Sequence, residues 1–165
     1  MAMTTMQKLE PFTDSVPLLN TPDLLRSRAQ EEGYLFFRGL VDTRIVLKVR
    51  RQILEVCRHH DWLDEDAPLM EGVTREGMSI VEGGDPRWQA FYCDVLKLRD
   101  FHGLALHPSL MDMFEKLFDD KVLPHPRNIC RAMFPNSSAY STPPHQDHFY
   151  IGGAEETWTA WMPLG

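Results

Sequence analysis

The first two thirds of the chain carry apolar residues at the spacing of amphipathic helices. In the stretch DTRIVLKVRRQILEVCRHH, starting at Asp42, apolar residues recur every three or four positions, which predicts a helix that packs one face on a core. Another helix is bounded by its own end signals. Thr21 suits the cap, Pro22 the first helical position, and Gly33 the left-handed end. Further apolar stripes predict helices in PRWQAFYCDVLKL, residues 86–98, and in HPSLMDMFEKLFDD, residues 107–120.

From residue 121 onward the pattern changes to short β-prone stretches separated by Pro, Gly, Asn or Ser. An earlier β-rich stretch, YLFFRG, follows the first predicted helix, and the Gly- and acid-rich residues between the central helices are typical of a loop. Helices first and strands last predict an α+β fold, with the helices packed on a sheet. The predicted strands are 34–38, 121–125, 128–134, 145–151 and 157–164, and the predicted loop is 64–85.

Composition narrows the class of protein. A length of 165 residues suffices for one domain, and we expect a single domain over 1–165. The net charge is −7 without a cluster of basic residues, which argues against a nucleic-acid partner. The apolar runs are too short to span a membrane, and the N-terminus lacks the apolar core of a signal peptide. The three cysteines form no CxxC pair, so we expect a protein of the reducing cytoplasm.

The candidate chemistry lies in TPPHQDHFYIGGAEETWTAWMPLG, residues 142–165. In an extended strand, alternate side chains share a face, so His145 and Asp147 are expected to project together. One imidazole and one carboxylate are two of the three ligands in the 2-His-1-carboxylate triad that holds non-haem Fe(II). His148 is expected on the opposite strand face, where it would contact substrate or support the ligands.

Three segments resemble the phytanoyl-CoA dioxygenase family of Fe(II)/2-oxoglutarate-dependent oxygenases. They are EEGYLFFRGLVD at 31–42, HQD at 145–147 and TWTAWMPLG at 157–165. The resemblance implies a double-stranded β-helix, the jelly-roll barrel also found in cupins. Its flanking helices would occupy about 21–120 and its first strands about 121–165.

The same resemblance implies an activity. His145 and Asp147 would be iron ligands, 2-oxoglutarate the co-substrate and O2 the oxidant, and the products succinate, CO2 and a hydroxylated small organic or acyl substrate. Trp158 falls where a tryptophan of the family lines the co-substrate pocket. Arg131 is the cation nearest to a position from which some members contact the co-substrate. The alternative is that Arg131 is a strand residue paired with another side chain and not a contact of the co-substrate. Asp147 fills the position that related halogenases leave small, which favours hydroxylation.

The family supplies a second histidine and an arginine downstream, whereas this chain has no His after His148 and no Lys or Arg after Arg131. The sequence therefore predicts the N-terminal portion of such an enzyme, marginally stable alone and associating with itself through an exposed β edge. Two alternatives stay open: a non-catalytic jelly-roll binding module, and a cupin-like metal-dependent enzyme, an isomerase or hydrolase, that does not use 2-oxoglutarate.

Overall fold

Helices are the regular structure of this protein, seen in a computed structural model that describes residues 10–80, 82, 84–134, 144–154 and 156–165. Two 3-10 turns, at Val16–Leu18 and Leu69–Glu71, accompany them. None of the helices in the described residues has the length and apolar character needed to cross a membrane. The helices are α1 (Pro22–Glu32), α2 (Thr43–His59), α3 (Pro86–Val95), α4 (Arg99–Ala105), α5 (Pro108–Phe118) and α6 (His148–Ile151).

The predictions for α1, α2, α3 and α5 are confirmed within a few residues at their ends. Pro22 opens α1, and Gly33 ends it with φ +72°. Thr21 precedes the helix without capping it, because its hydroxyl donates to the carbonyl of Leu18 over 3.2 Å. The helix α4 was not predicted, since its seven residues are too few for a clear apolar stripe.

The predicted α+β jelly roll is wrong for the part of the chain that the structure describes, where no strand and no sheet occur. The stretch at 34–38 makes a single parallel bridge from Phe36 to Asp14. Residues 121–134 and 157–165 are irregular. The stretch at 145–151 is a loop that runs into α6. The β edge on which we based self-association is therefore not present there, and self-association itself stays a prediction.

The physical reason lies in where backbone hydrogen bonds come from. A helix closes its bonds within one segment, whereas a strand needs a neighbouring strand for every ladder bond. In the HQD segment the amides of Tyr150 and Ile151 both donate to the carbonyl of Asp147 over 2.9 Å, so a local turn satisfies them. Residues that favour an extended backbone do not form a strand by themselves, because the backbone hydrogen bonds of a sheet need a second strand.

The chain divides into two compact units, and the first comprises Met1–Asp42 and Ala105–His125. Here α1 packs on α5, and Leu25 of α1 is fully buried. Arg26 of α1 donates to the carbonyl of Lys116 in α5 over 2.7 Å. This bond adds a polar contact to the packing of the two helices. The prediction of one domain over the whole chain is not tested by this division.

The second unit comprises Thr43–Leu104 and Pro126–Gly165 and contains the candidate site. In it α2 packs on α3 and on the turn Leu69–Glu71. Trp62 and Phe91 form the centre of the core, both almost fully buried with ring centroids 4.2 Å apart. Phe134 adds an edge contact to Trp62, at 5.4 Å between centroids. The irregular segment at 126–134 thereby packs against this core.

Candidate functional site

His145 and Asp147 lie side by side, with Nε2 of the imidazole 3.2 Å from Oδ1 of the carboxylate. Both side chains are about 30% exposed, so the pair is accessible from solvent yet partly desolvated. The two residues were expected to meet through strand alternation. Instead they meet because the chain turns: Asp147 has helical backbone angles, φ −60° and ψ −33°, and stands at the beginning of α6.

The carboxylate of Asp147 does not take the structural role that its position offers. An aspartate just before a helix usually accepts a hydrogen bond from an amide of the first turn. Asp147 makes no such bond. Its Oδ1 faces His145, and its Oδ2 accepts a hydrogen bond from the hydroxyl of Thr159 over 2.6 Å. Both oxygens are therefore directed at side chains of the site.

A pocket of about 670 Å3 opens next to this pair. Thr157 and Thr159 form part of its wall, two residues apart as expected for side chains on one side of an extended segment. The hydroxyl of Thr157 donates to the carbonyl of Ala154 over 2.6 Å. The lining residues are His145, Gln146, Asp147, His148, Thr157 and Thr159.

His148 belongs to this lining, whereas strand alternation placed it on the opposite face. Because it begins α6, its side chain follows helical rather than strand geometry. Its Nδ1 is buried and has no hydrogen-bond partner among the described residues. A buried nitrogen without a partner costs free energy, so this imidazole is a polar group that a bound molecule or water would satisfy.

A second, more open depression of about 550 Å3 shares His145 and Gln146 with the first. Pro144, Phe149 and Tyr150 complete it. The ring of Tyr150 stands edge-on to the imidazole of His145, with centroids 5.8 Å apart. Phe149 and Tyr150 are 81% and 76% exposed, so a polar pocket adjoins an open aromatic surface.

The spacing of the donor pair is close to that of two neighbouring ligands on one octahedral metal ion. Two ligands at about 2.1 Å from an ion and at a right angle to each other are about 3.0 Å apart. The 3.2 Å between Nε2 of His145 and Oδ1 of Asp147 is close to that separation. An imidazole nitrogen with a carboxylate oxygen is also a donor set that suits Fe(II).

A complete metal site is not formed within the described residues. No group of three or more His, Cys, Asp or Glu side chains in that part of the chain is arranged to hold an ion. His145 and Asp147 therefore account for two protein ligands only, and their role in metal binding stays a prediction.

The two predicted co-substrate contacts are not brought into this pocket. Trp158 is 36% exposed and does not line it, whereas its neighbours Thr157 and Thr159 do. Nη1 of Arg131 lies 3.2 Å from Oε2 of Glu82, which agrees with the alternative that this arginine is paired. Neither arrangement tests co-substrate binding in a complete site, so both contacts stay predictions.

Sequence reasoning missed Thr157 and Thr159. The signal was present in TWTAW, where two hydroxyl residues alternate with larger apolar ones. Trp158, the residue singled out from the sequence, alternates with these threonines and so belongs to the other side of the same segment. The period of two would have identified the threonines only if the direction of the segment toward Asp147 had been known.

Comparison with known proteins finds relatives of this chain, among them two proteins named as hydroxylases. The chain is 29% identical over 164 residues to the 1-deoxypentalenic acid 11-beta-hydroxylase of Streptomyces exfoliatus, covering 94% of this chain and 53% of that protein. It is 31% identical over 157 residues to the protein of the same name from Streptomyces arenae, covering 93% of this chain and 52% of that protein. No family model and no solved structure matches the chain. This chain, which spans about half the length of these curated relatives, is thus similar over most of its own length to two proteins named as hydroxylases.

Proposed function

We propose that this protein is an Fe(II)- and 2-oxoglutarate-dependent oxygenase that hydroxylates a small organic or acyl substrate. The observation that carries the proposal is the Asp147 carboxylate. It makes no side-chain cap to the helix amides and faces the imidazole of His145 at 3.2 Å on the wall of a pocket. Similarity to proteins named as hydroxylases supports the same class of reaction.

His145 and Asp147 would hold the metal. Neutral imidazole donates the lone pair of Nε2, and the ionised carboxylate supplies a negative charge that favours a divalent cation. When bound, Fe(II) with 2-oxoglutarate supplies the activation of O2. The balanced reaction converts substrate, 2-oxoglutarate and O2 into hydroxylated substrate, succinate and CO2. The described residues place no third metal-binding side chain beside this pair, so a further protein ligand would have to join it.

The two depressions differ in polarity, so each would bind a different molecule or part of a molecule. The pocket beside His145 and Asp147 presents hydroxyl, amide and imidazole groups, which suit the polar co-substrate. The neighbouring surface presents Phe149 and Tyr150, which suit an apolar part of the substrate. The shared residue His145 would lie where the two meet. Trp158 and Arg131 stay proposed contacts of 2-oxoglutarate.

The test is conversion of 2-oxoglutarate to succinate by the complete protein with Fe(II) and O2. We expect turnover that a chelator abolishes, and loss of at least about 100-fold in His145→Ala and in Asp147→Ala, since each removes a metal ligand. The matched control is His59→Ala, which removes an imidazole from the end of α2. Full turnover by His145→Ala would contradict the ligand assignment.

The remaining outcomes separate the other classes of protein. Metal binding at His145 and Asp147 without use of 2-oxoglutarate indicates a metal-dependent enzyme of another kind. Absence of both metal binding and turnover indicates a binding protein. Either result rejects the proposed oxygenase activity.

A further inference from the structure

The two oxygens of the Asp147 carboxylate have different partners. Oδ1 lies 3.2 Å from Nε2 of His145, and Oδ2 accepts from the Thr159 hydroxyl over 2.6 Å. Carboxylates accept and never donate in their ionised form, so the proton in the shorter contact belongs to Thr159. A length of 2.6 Å is typical of a charge-assisted O–H···O− bond, which is about twice as strong as a neutral one.

We propose that Thr159 is a positioning residue that makes Asp147 a one-oxygen metal ligand. The inference rests on the proposed function. With Oδ2 held by the hydroxyl, only Oδ1 is presented on the side of His145. The β-branched side chain of Thr159 has few χ1 rotamers, so its hydroxyl keeps its direction better than a flexible donor would.

One-oxygen ligation matters because coordination positions are scarce. An octahedral ion with three single-atom protein ligands keeps three open positions. A bidentate keto acid takes two of them and leaves one for O2. If Asp147 bound through both oxygens, that last position would be lost. The Thr159 hydroxyl, by binding Oδ2, would therefore keep a coordination position open for O2 and also orient Oδ1 toward the metal.

Thr157 separates this role from a structural one. It lies two residues earlier in the same wall, but its hydroxyl donates to the carbonyl of Ala154 and not to Asp147. The change Thr157→Val thus removes the same atom from the same segment without touching the carboxylate. Thr159→Ser keeps the donor and loses only a methyl group.

The experiment measures metal binding by the complete protein, with Co(II) as a spectroscopic stand-in for Fe(II). Thr159→Val should raise the Kd for Co(II) about 10- to 100-fold, the usual effect of losing a hydrogen bond to a ligand. The d–d absorption of bound Co(II), which reports coordination number and geometry, should change as well. Thr159→Ser should restore both readouts, and Thr157→Val should leave the Kd within about twofold of wild type.

Each outcome decides between the proposals. Wild-type protein that binds neither Co(II) nor Fe(II) overturns the proposed function, and this inference with it. Wild-type binding with an unchanged Kd and spectrum in Thr159→Val overturns the positioning role alone. Equal losses in Thr157→Val and Thr159→Val overturn it too, since they show a general contribution of the wall. Melting curves of all variants establish that each is folded.

Discussion

The guanidinium of Arg50 donates a hydrogen bond to the carbonyl oxygen of Leu164 over 2.6 Å, although 114 positions separate them in sequence. The other terminal nitrogen of Arg50 donates to the carbonyl of Met70 over 2.8 Å. One side chain of α2 thereby binds both the 3-10 turn Leu69–Glu71 and the irregular segment 157–165 of the second unit. The later segment, 157–165, carries the threonines of the candidate site, and Arg50 binds the same segment at Leu164.

We predict that Arg50→Ala lowers the free energy of unfolding by about 2 kcal/mol, since it leaves two carbonyl groups without a charged donor. Urea denaturation measures the change. Arg51→Ala is the control, because it removes the same charge from an exposed position next along α2. Equal effects in the two variants would mean that charge, and not the pair of hydrogen bonds, is responsible.

Two glycines should respond to alanine with opposite signs. Gly33 ends α1 at φ +72° with no atom within 4 Å of an added Cβ, so Gly33→Ala meets only backbone strain. We expect a loss of about 1 kcal/mol in unfolding free energy. Gly103 lies inside α4 with equally open space. Gly103→Ala should gain about 0.5–1 kcal/mol, because alanine restricts the unfolded chain and favours the helix. Thermal melts of the two variants check the signs, and a destabilised Gly103→Ala would contradict the assignment of α4.

The three free cysteines should differ in reactivity. Cys93 is exposed, whereas Cys57 and Cys130 are 7% and 8% exposed. Burial, and then the nearby Cys130, raises the pKa of the Cys57 thiol to about 12. Burial, and then Glu82, raises the pKa of the Cys130 thiol to about 11. Since the thiolate is the reactive form, iodoacetamide at about pH 8 should modify Cys93 first.

Mass spectrometry of the labelled protein counts the modified thiols. We expect one modification in the native protein and three after denaturation. Rapid labelling of Cys57 in the native protein would contradict its burial under the described structure.

The lowered pKa of the Asp94 carboxyl group predicts that the free energy of unfolding depends on pH. Its Oδ1 lies 2.7 Å from Nζ of Lys97 and its Oδ2 2.9 Å from Nε2 of His60, and these partners, Lys97 first, lower the pKa of the carboxyl group. A lowered pKa in the folded state contributes stability above the unfolded value of about 3.9. That contribution is lost as the pH falls through the lower, folded value.

The difference in unfolding free energy between wild type and Asp94→Asn should therefore be largest near neutral pH and shrink in acid. Urea denaturation across that range measures it. A difference that stays constant with pH would show that the variant acts through packing instead of charge.

Helix positions were predictable from the sequence because the signals are local. Gly33 stops α1 through its own backbone freedom, and Val49 lies fully buried on the face that the apolar spacing indicated. The candidate pair was also visible, since His145 and Asp147 are separated by a single residue. The reason for their approach was wrong, because the segment turns into α6 instead of extending as a strand.

The sequence by itself determined where α1, α2, α3 and α5 form and which two side chains carry the candidate chemistry. Helices close their hydrogen bonds between residues four apart, so their limits are encoded nearby. Only the tertiary structure decided that Thr159 holds Oδ2 of Asp147 and that Arg50 fastens Leu164. Those contacts join residues distant in sequence, and they depend on how irregular segments return to the helices. The conformational preferences of single residues do not specify these contacts. The stabilising free energy of each contact comes from a partner that lies outside the irregular segment.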